Sequence, residues 1–201
     1  MPYQLESRLV VGVSARALFD MTRENEIFEK QGLEAYCRYQ AEHEQDILKP
    51  GPGFGLIKAL LKLNEGSGGK NPVEVIVMSH NSPETSLRVF HAISGYGLPI
   101  TRAVLASGAS PARYLAAFHT DLFLSPCEED VQYAIDNGIA AGVICTECSC
   151  AAPRAEEIRI AFDAQIFFDD QAVHTASVSR EIPAARVPYG SRKKESFSNE
   201  I

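Results

Sequence analysis

Short apolar runs alternate with helix-favouring stretches along residues 9–144, and this alternation limits the possible folds more than any other feature. The runs are rich in β-favouring residues. Strands that alternate with helices through short connections are typical of a parallel sheet covered by helices on both faces. The sequence therefore predicts a three-layer α/β unit whose strands end near Ser14, Ser79, Ser107 and Ser125.

Helices are predicted between these strands from apolar periodicity and from end signals. The stretch 24–45 is long and polar, and Gly32 interrupts it, which allows two helices. Residues 54–63 have the apolar pattern of a further helix. Ser82 is an N-cap candidate and Pro83 fits the first turn of the helix that follows. The remaining predicted helices cover 82–94, 111–118 and 128–136.

Composition excludes several classes of protein. The 201 residues, 45% of them hydrophobic, suffice for one globular domain and part of a second. A net charge of -7 and a pI near 5.3 argue against nucleic-acid binding as the main task. Since there is no apolar run of membrane-spanning length and no signal-peptide pattern at the N-terminus, we expect no membrane partner and a cytoplasmic location.

An internal repeat lies in the second half of the chain. Residues 121–143 and 165–187 align without a gap, each as a strand, a helix-length spacer, an Ala-Ala pair and a short strand. The second copy has Asp169-Asp170 where the first has Ser125-Pro126. The ungapped length favours a true duplication in which only the later copy carries the carboxylates.

The stretch 158–171 holds two β-favouring runs, and each ends in aspartate, at Asp163 and Asp169. An aspartate at the carboxyl end of a buried parallel strand lies where open α/β sheets bind ligands. Two such ends side by side would hold a divalent cation and a phosphate, because Mg²⁺ prefers carboxylate oxygens. The pattern fits a strand pair with solvated acidic ends equally well.

Three cysteines form a C-x-x-C-x-C pattern at Cys145, Cys148 and Cys150. One such cluster, without a second cysteine pair or a histidine at zinc-finger spacing, is a weak zinc signal. We interpret these residues as ordinary thiols of a loop rather than as a metal or redox site.

Nine motifs spread over nearly the whole chain carry a resemblance to one family. They lie at 11–20, 28–36, 79–85, 87–90, 121–125, 128–131, 158–163, 166–171 and 187–190. Together they resemble cytosolic type I 5′-nucleotidases, a family similar to the haloacid-dehalogenase-like (HAD-like) phosphohydrolases. The resemblance implies a Rossmann-like, HAD-like core, a Mg²⁺ cofactor and hydrolysis of nucleoside monophosphates, AMP among them, to nucleoside and phosphate.

The resemblance assigns roles to three aspartates. Asp163 matches the catalytic nucleophile and also a metal ligand, and Asp169 and Asp170 match the late acidic motif of the Mg²⁺ site. Gln165 departs from the family, which has aspartate there as the general acid and base. The family's segment between Asp163 and the late motif, with its phosphate-binding Ser/Thr and Lys, is also absent. The remaining two-residue link is too short for a parallel crossover, so one chain should not bring these aspartates to one ion.

The first half offers a different set of binding residues. Ser14 stands at the position that matches the nucleophile, and Ser79 with Asn81 supplies a hydroxyl and an amide near a phosphate-binding strand end. An ordinary strand-end role for Ser79 fits as well. Without carboxylates, this half could still bind phosphate through backbone N–H groups and the helix N-terminus after Ser82.

These observations predict four parts: a HAD-like first half at 1–150, a linker at 151–157, a truncated remnant of the second half at 158–190 and a disordered tail at 191–201. By resemblance the protein is a Mg²⁺-dependent 5′-nucleotidase. The alternatives are a catalytically impaired nucleotide-binding or assembly module, and an unstable remnant without function. A homo-oligomer in which Asp163 of one subunit faces Asp170 of another would restore a complete metal site.

Overall fold

A computed structural model describes residues 5, 7–144, 167–169, 175 and 184–188. Its strands form one sheet in the order β3-β2-β1-β4-β5-β7-β6. The strands are β1 (Leu9–Ser14), β2 (Val73–Ser79), β3 (Arg102–Leu105), β4 (Leu122–Ser125), β5 (Ala140–Ile144), β6 (Phe167–Asp169) and β7 (Ala184–Arg186). The α-helices are α1 (Ala15–Leu18), α2 (Thr22–Glu42), α3 (Phe54–Lys62), α4 (Leu87–Gly95) and α5 (Glu128–Asp136), and 3₁₀ helices cover Glu84–Ser86, Pro111–Tyr114 and Ala116–Phe118.

Strands β1 to β5 pair in parallel throughout, which confirms the predicted α/β class. Successive side chains of β1 enter different cores, since Val11 and Val13 pack with α3 and α4 whereas Val10 packs with α5. Both faces of the sheet are therefore covered, as expected of a buried parallel sheet. Strand β1 lies between β2 and β4. The chain places β2 and β3 on one side of β1 and then returns to place β4 and β5 on its other side, so the strand order reverses at β1. Open α/β sheets bind ligands at such a point, outside the carboxyl ends of the strands.

The second copy of the repeat also forms a parallel strand pair. Phe167 is opposite Ala184 in β6 and β7, whereas Phe123 is opposite Ala141 in β4 and β5. The register of the second pair is thus shifted by one residue relative to the sequence alignment. Strand β7 joins β5 in the antiparallel direction, so this pair runs opposite to the rest of the sheet.

Helix α2 is kinked at Gly32, where the backbone angles are φ 82° and ψ −178°. This conformation favours glycine and confirms the interruption predicted there. Two large apolar side chains next to the kink, Phe28 and Leu33, are 48% and 64% exposed.

The segment 111–118 differs from its predicted α-helix and forms two 3₁₀ helices instead. Residues three apart lie on the same side of a 3₁₀ helix, and here this brings Ala112 and Leu115 into one core cluster. The helix predicted from Ser82 likewise begins as a 3₁₀ turn, Glu84–Ser86, before α4 starts at Leu87.

No helix in the described ranges is long and apolar enough to span a bilayer. The predicted linker at 151–157, the predicted tail at 191–201, and Cys145, Cys148 and Cys150 lie outside the described residues.

Candidate functional site

A cleft of about 710 Å³ opens at the carboxyl ends of β1, β2 and β4, under the kinked helix α2. Ser14 and Ser125 contribute from the ends of β1 and β4, and His80 and Asn81 from the loop after β2. Its volume lies in the usual range for small-molecule sites. Because it also lies where the sheet reverses its strand order, we take it as the candidate functional site.

Three strand-end serines share one local structure at this cleft. The side-chain oxygen of each serine accepts a hydrogen bond from the backbone N–H two residues further along. Ser14 accepts from Arg16 at 3.3 Å, Ser79 from Asn81 at 3.1 Å, and Ser125 from Cys127 at 3.1 Å. Ser14, Ser79 and Ser125 are only 8%, 4% and 1% exposed. Each hydroxyl keeps its own O–H for a further acceptor.

A buried hydrogen-bond chain fixes Asn81 in the wall of the cleft. Gln40 Nε2 donates to the Tyr36 hydroxyl at 3.0 Å, and that hydroxyl donates to Asn81 Oδ1 at 3.0 Å. Burial raises the pKa of Tyr36, because the phenolate would lose its solvation, so the hydroxyl stays a donor. Asn81 Nδ2 is buried and has no hydrogen-bond partner among the described residues. The wall therefore holds an amide donor that a ligand acceptor could satisfy.

His80 and Asp130 form a charged pair beside the cleft. His80 Nε2 lies 2.6 Å from Asp130 Oδ2, and Ser110 Oγ donates to Asp130 Oδ1 at 2.5 Å. The Asp130 carboxylate, with help from Cys127, raises the pKa of His80 to about 10. Burial alone would raise the pKa of Asp130, but the hydrogen bonds from His80 and Ser110 hold it below its usual value. At neutral pH the pair is therefore ionised, with the cation facing the cleft.

This pair predicts a pH-dependent stability. The pKa of folded His80 lies above its ordinary value of 6.5, so the pair's contribution is complete below pH 6.5 and is lost as pH rises through about 10. We expect a loss of about 1 kcal/mol over that interval, a discounted value because the His80 side chain is partly solvated. Urea unfolding in buffer with a chelator, at several pH values, measures it.

The pH dependence should disappear in His80→Gln. His91→Gln is the matched control, since His91 Nδ1 lies 3.0 Å from the Glu44 carbonyl oxygen rather than beside a carboxylate. If His80→Gln keeps the wild-type slope between pH 6.5 and 10, the ion pair is not its source.

The structure brings together only part of the predicted site. Ser14 and Asn81 line the cleft, and Ser79 is buried beneath Asn81. Asp169 lies in β6, and the strand registers place its backbone level with that of Ser125 in β4, three strands away across the sheet. At the usual strand spacing, the two backbones are about 14 Å apart. Asp169 is thus not at this cleft. Asp163 and Asp170 lie outside the described residues.

Two further cleft residues, Arg16 and His80, were not predicted as site residues from the sequence. Arg16 lines the cleft and makes no ion pair within the described ranges. His80 pairs with Asp130 across 50 positions of sequence, a separation that local patterns do not reveal. Position was the available signal, since Arg16 lies two residues after the predicted strand end at Ser14 and His80 directly follows the one at Ser79.

The described residues of the cleft do not form a Mg²⁺ site. Mg²⁺ takes oxygen ligands in octahedral geometry. The buried carboxylate of Glu24 is paired with Arg88, and that of Asp130 is paired with His80. Ser14 and Ser125 occupy the strand ends where carboxylates would stand. No catalytic step through this ion follows from these residues.

Comparison with known proteins identifies the family to which the chain belongs. The model of the 5′-nucleotidase family matches residues 1–165. The chain is also 33% identical over 179 residues to human cytosolic 5′-nucleotidase 1B, an alignment that covers 86% of this chain. The chain spans 29% of that relative's length. Because the family match covers most of the chain, the protein is a member of the 5′-nucleotidase family.

Proposed function

We propose that the chain binds a nucleoside 5′-monophosphate such as AMP in the cleft at the strand ends. The main support is that two cationic side chains, Arg16 and His80, line the same cavity as the hydroxyls of Ser14 and Ser125. Cations and O–H donors are the groups that hold phosphate oxygens. Membership of the 5′-nucleotidase family supports a nucleotide as the ligand.

The nucleoside would lie against the apolar wall that α2 provides. Phe28 and Tyr36 pack edge to face with centroids 5.9 Å apart, and Leu33 lines the same side of the cleft. An apolar wall opposite a few polar donors is the usual design of a small-molecule site. The unsatisfied amide of Asn81 would give an acceptor on the base or ribose a partner.

Titration with AMP should shift the backbone amide signals of residues around Ser14 and Asn81. Arg16→Ala should raise the AMP dissociation constant about tenfold, because one charge-assisted contact is lost. Arg38→Ala is the matched control, since Arg38 is exposed on α2 and pairs with Glu34 away from the cleft. Adenosine should bind equally to wild type and Arg16→Ala. Unchanged amide shifts at saturating AMP would refute the proposal.

Mg²⁺-dependent hydrolysis of AMP is the second candidate, favoured by family membership. It would need Asp163 as nucleophile and Asp163, Asp169 and Asp170 as metal ligands. Gln165 cannot transfer a proton as the family's aspartate does, a group that contributes about 10²–10⁴-fold in rate. We therefore propose that this chain binds AMP but hydrolyses it only slowly. A cytoplasmic location is proposed with it, since the relative is named cytosolic.

Phosphate release from AMP in the presence of Mg²⁺ should be far slower than with a full-length relative, and Asp163→Asn should change it little. Release measured against a Mg²⁺-free control tests this. Robust turnover that Asp163→Asn abolishes would contradict the expectation. It would favour a homo-oligomer in which Asp163 of one subunit faces Asp170 of another.

A further inference from the structure

We propose that His80, Cys127 and Asp130 form a zinc site in the wall of the cleft. Their imidazole nitrogen, thiol sulfur and carboxylate oxygen all lie within 4.8 Å of one another. They come from the loop after β2, the turn before α5 and the first turn of α5, so the fold itself brings them together. Nitrogen, sulfur and oxygen ligands in one set are typical of Zn²⁺.

Shifts of about 1 Å would bring the three ligand atoms to the spacing that the ion needs. Ligand atoms around a tetrahedral Zn²⁺ lie about 3.3–3.6 Å apart, given the usual metal–ligand distances. His80 Nε2 and Asp130 Oδ2, 2.6 Å apart, would have to move apart by less than about 1 Å. The other pairs of ligand atoms are at most 4.8 Å apart and would have to close by no more than about 1.5 Å. The His80 side chain is 43% exposed and has room to move.

Asp130 is already oriented for such a role. Its side chain is 4% exposed, and Ser110 Oγ donates to Oδ1 at 2.5 Å, which leaves Oδ2 toward His80. A hydrogen bond to the second carboxylate oxygen is the common outer support of a metal ligand. Ser110 is therefore a positioning residue of the proposed site.

The fourth coordination position would face the ligand cleft. His80 and Cys127 both line that cleft, so a bound water or a ligand oxygen can reach the ion. Three protein ligands with an open fourth position are typical of catalytic zinc sites, whereas structural sites have four protein ligands. This ligand set differs from the all-oxygen site that Mg²⁺ requires, so millimolar Mg²⁺ should not compete.

Titration of the reduced 201-residue chain with Co²⁺ tests the proposal, because tetrahedral cobalt with a thiolate ligand gives visible bands and a near-ultraviolet charge-transfer band. Cysteines elsewhere in the chain make controls essential. We therefore use Cys127→Ser, Cys37→Ser and a combined variant with serine at Cys145, Cys148 and Cys150. Circular dichroism confirms that each variant is folded.

We expect a charge-transfer band that persists in Cys37→Ser and in the combined variant, that Zn²⁺ abolishes and that Mg²⁺ leaves unchanged. Cys127→Ser should lose the band. Ser110→Ala should keep it and weaken cobalt affinity about 10-fold, as loss of an outer partner does. Absence of the band in wild type, its persistence in Cys127→Ser, or its loss in the combined variant would each overturn the proposal. A bound Zn²⁺ would replace the proton that His80 shares with Asp130, so the cleft keeps a cationic centre at this position in either state. AMP binding is measured separately on chelator-treated protein, so failure of the zinc site leaves the proposed function unaffected.

Discussion

Replacement of Arg88 by methionine is expected to lower the free energy of unfolding by about 3–5 kcal/mol, because it leaves a buried carboxylate without its partner. The Arg88 guanidinium binds Glu24, and the two side chains are 10% and 5% exposed. Arg88 Nε also donates to the Asp46 carbonyl at 2.9 Å. The pair therefore joins α4 to α2, the helix that covers the cleft. Urea unfolding monitored by circular dichroism measures the loss.

Two further variants separate the ion pair from loss of packing. Glu24→Leu combined with Arg88→Met should recover most of the stability, since replacing both partners of a buried pair is often neutral. Lys30→Met breaks a pair of the same type with Glu26 that is 70% and 57% exposed, and it should cost less than about 0.5 kcal/mol. A double variant no more stable than Arg88→Met would show that packing, not the unpaired charge, is responsible.

Truncation of Phe123 to alanine should destabilise the protein by about 3–5 kcal/mol through the cavity that it leaves. Phe123 is fully buried in β4, where it packs with Val10, Leu115 and Val131 between the sheet and α5. Strand β4 ends two residues later at Ser125, so the same change should loosen the cleft. Urea unfolding gives the first effect, and amide exchange near Ser125 gives the second.

Gly12 provides the internal control for this cavity. A methyl group at Gly12 would lie 3.2 Å from both Phe123 Cδ2 and Leu115 Cδ2. Gly12→Ala alone should therefore destabilise by about 1–3 kcal/mol through overpacking. Combined with Phe123→Ala, the added methyl enters the vacated space and should recover part of the loss. Strictly additive losses would show that the two positions do not share one cavity.

The fold was predictable where the signal was local. Alternating apolar runs located β1 to β5, and Gly32 marked the kink of α2, because period and glycine act over a few residues. The 3₁₀ form of 111–118 was not predictable, since the requirement that Ala112 and Leu115 reach one core comes from the rest of the fold. The antiparallel joining of β7 to β5 is likewise a property of the whole sheet.

The position of the candidate site was predictable from the sequence, but the contacts among its side chains were not. Strand ends located Ser14, Ser79 and Asn81, because parallel strands present their carboxyl ends at one edge. The contact between His80 and Asp130 depends on β2 and α5 meeting across the sheet edge, and nothing in either local sequence marks the other. Asp169 resembled a strand-end ligand, but its strand pairs with β7 rather than with β1.

The turns after the strand-end serines have a consequence for how such a scaffold can change. In each, a side-chain oxygen accepts the N–H two residues on, and an aspartate carboxylate makes the same bond in the same turn, more strongly than a hydroxyl does. Exchange between serine and aspartate at these positions therefore keeps the hydrogen bond of the turn while it removes or installs a carboxylate. Ser125 and Asp169 stand at matching positions of the repeat, so a change of one residue separates a strand end that has a carboxylate from one that lacks it.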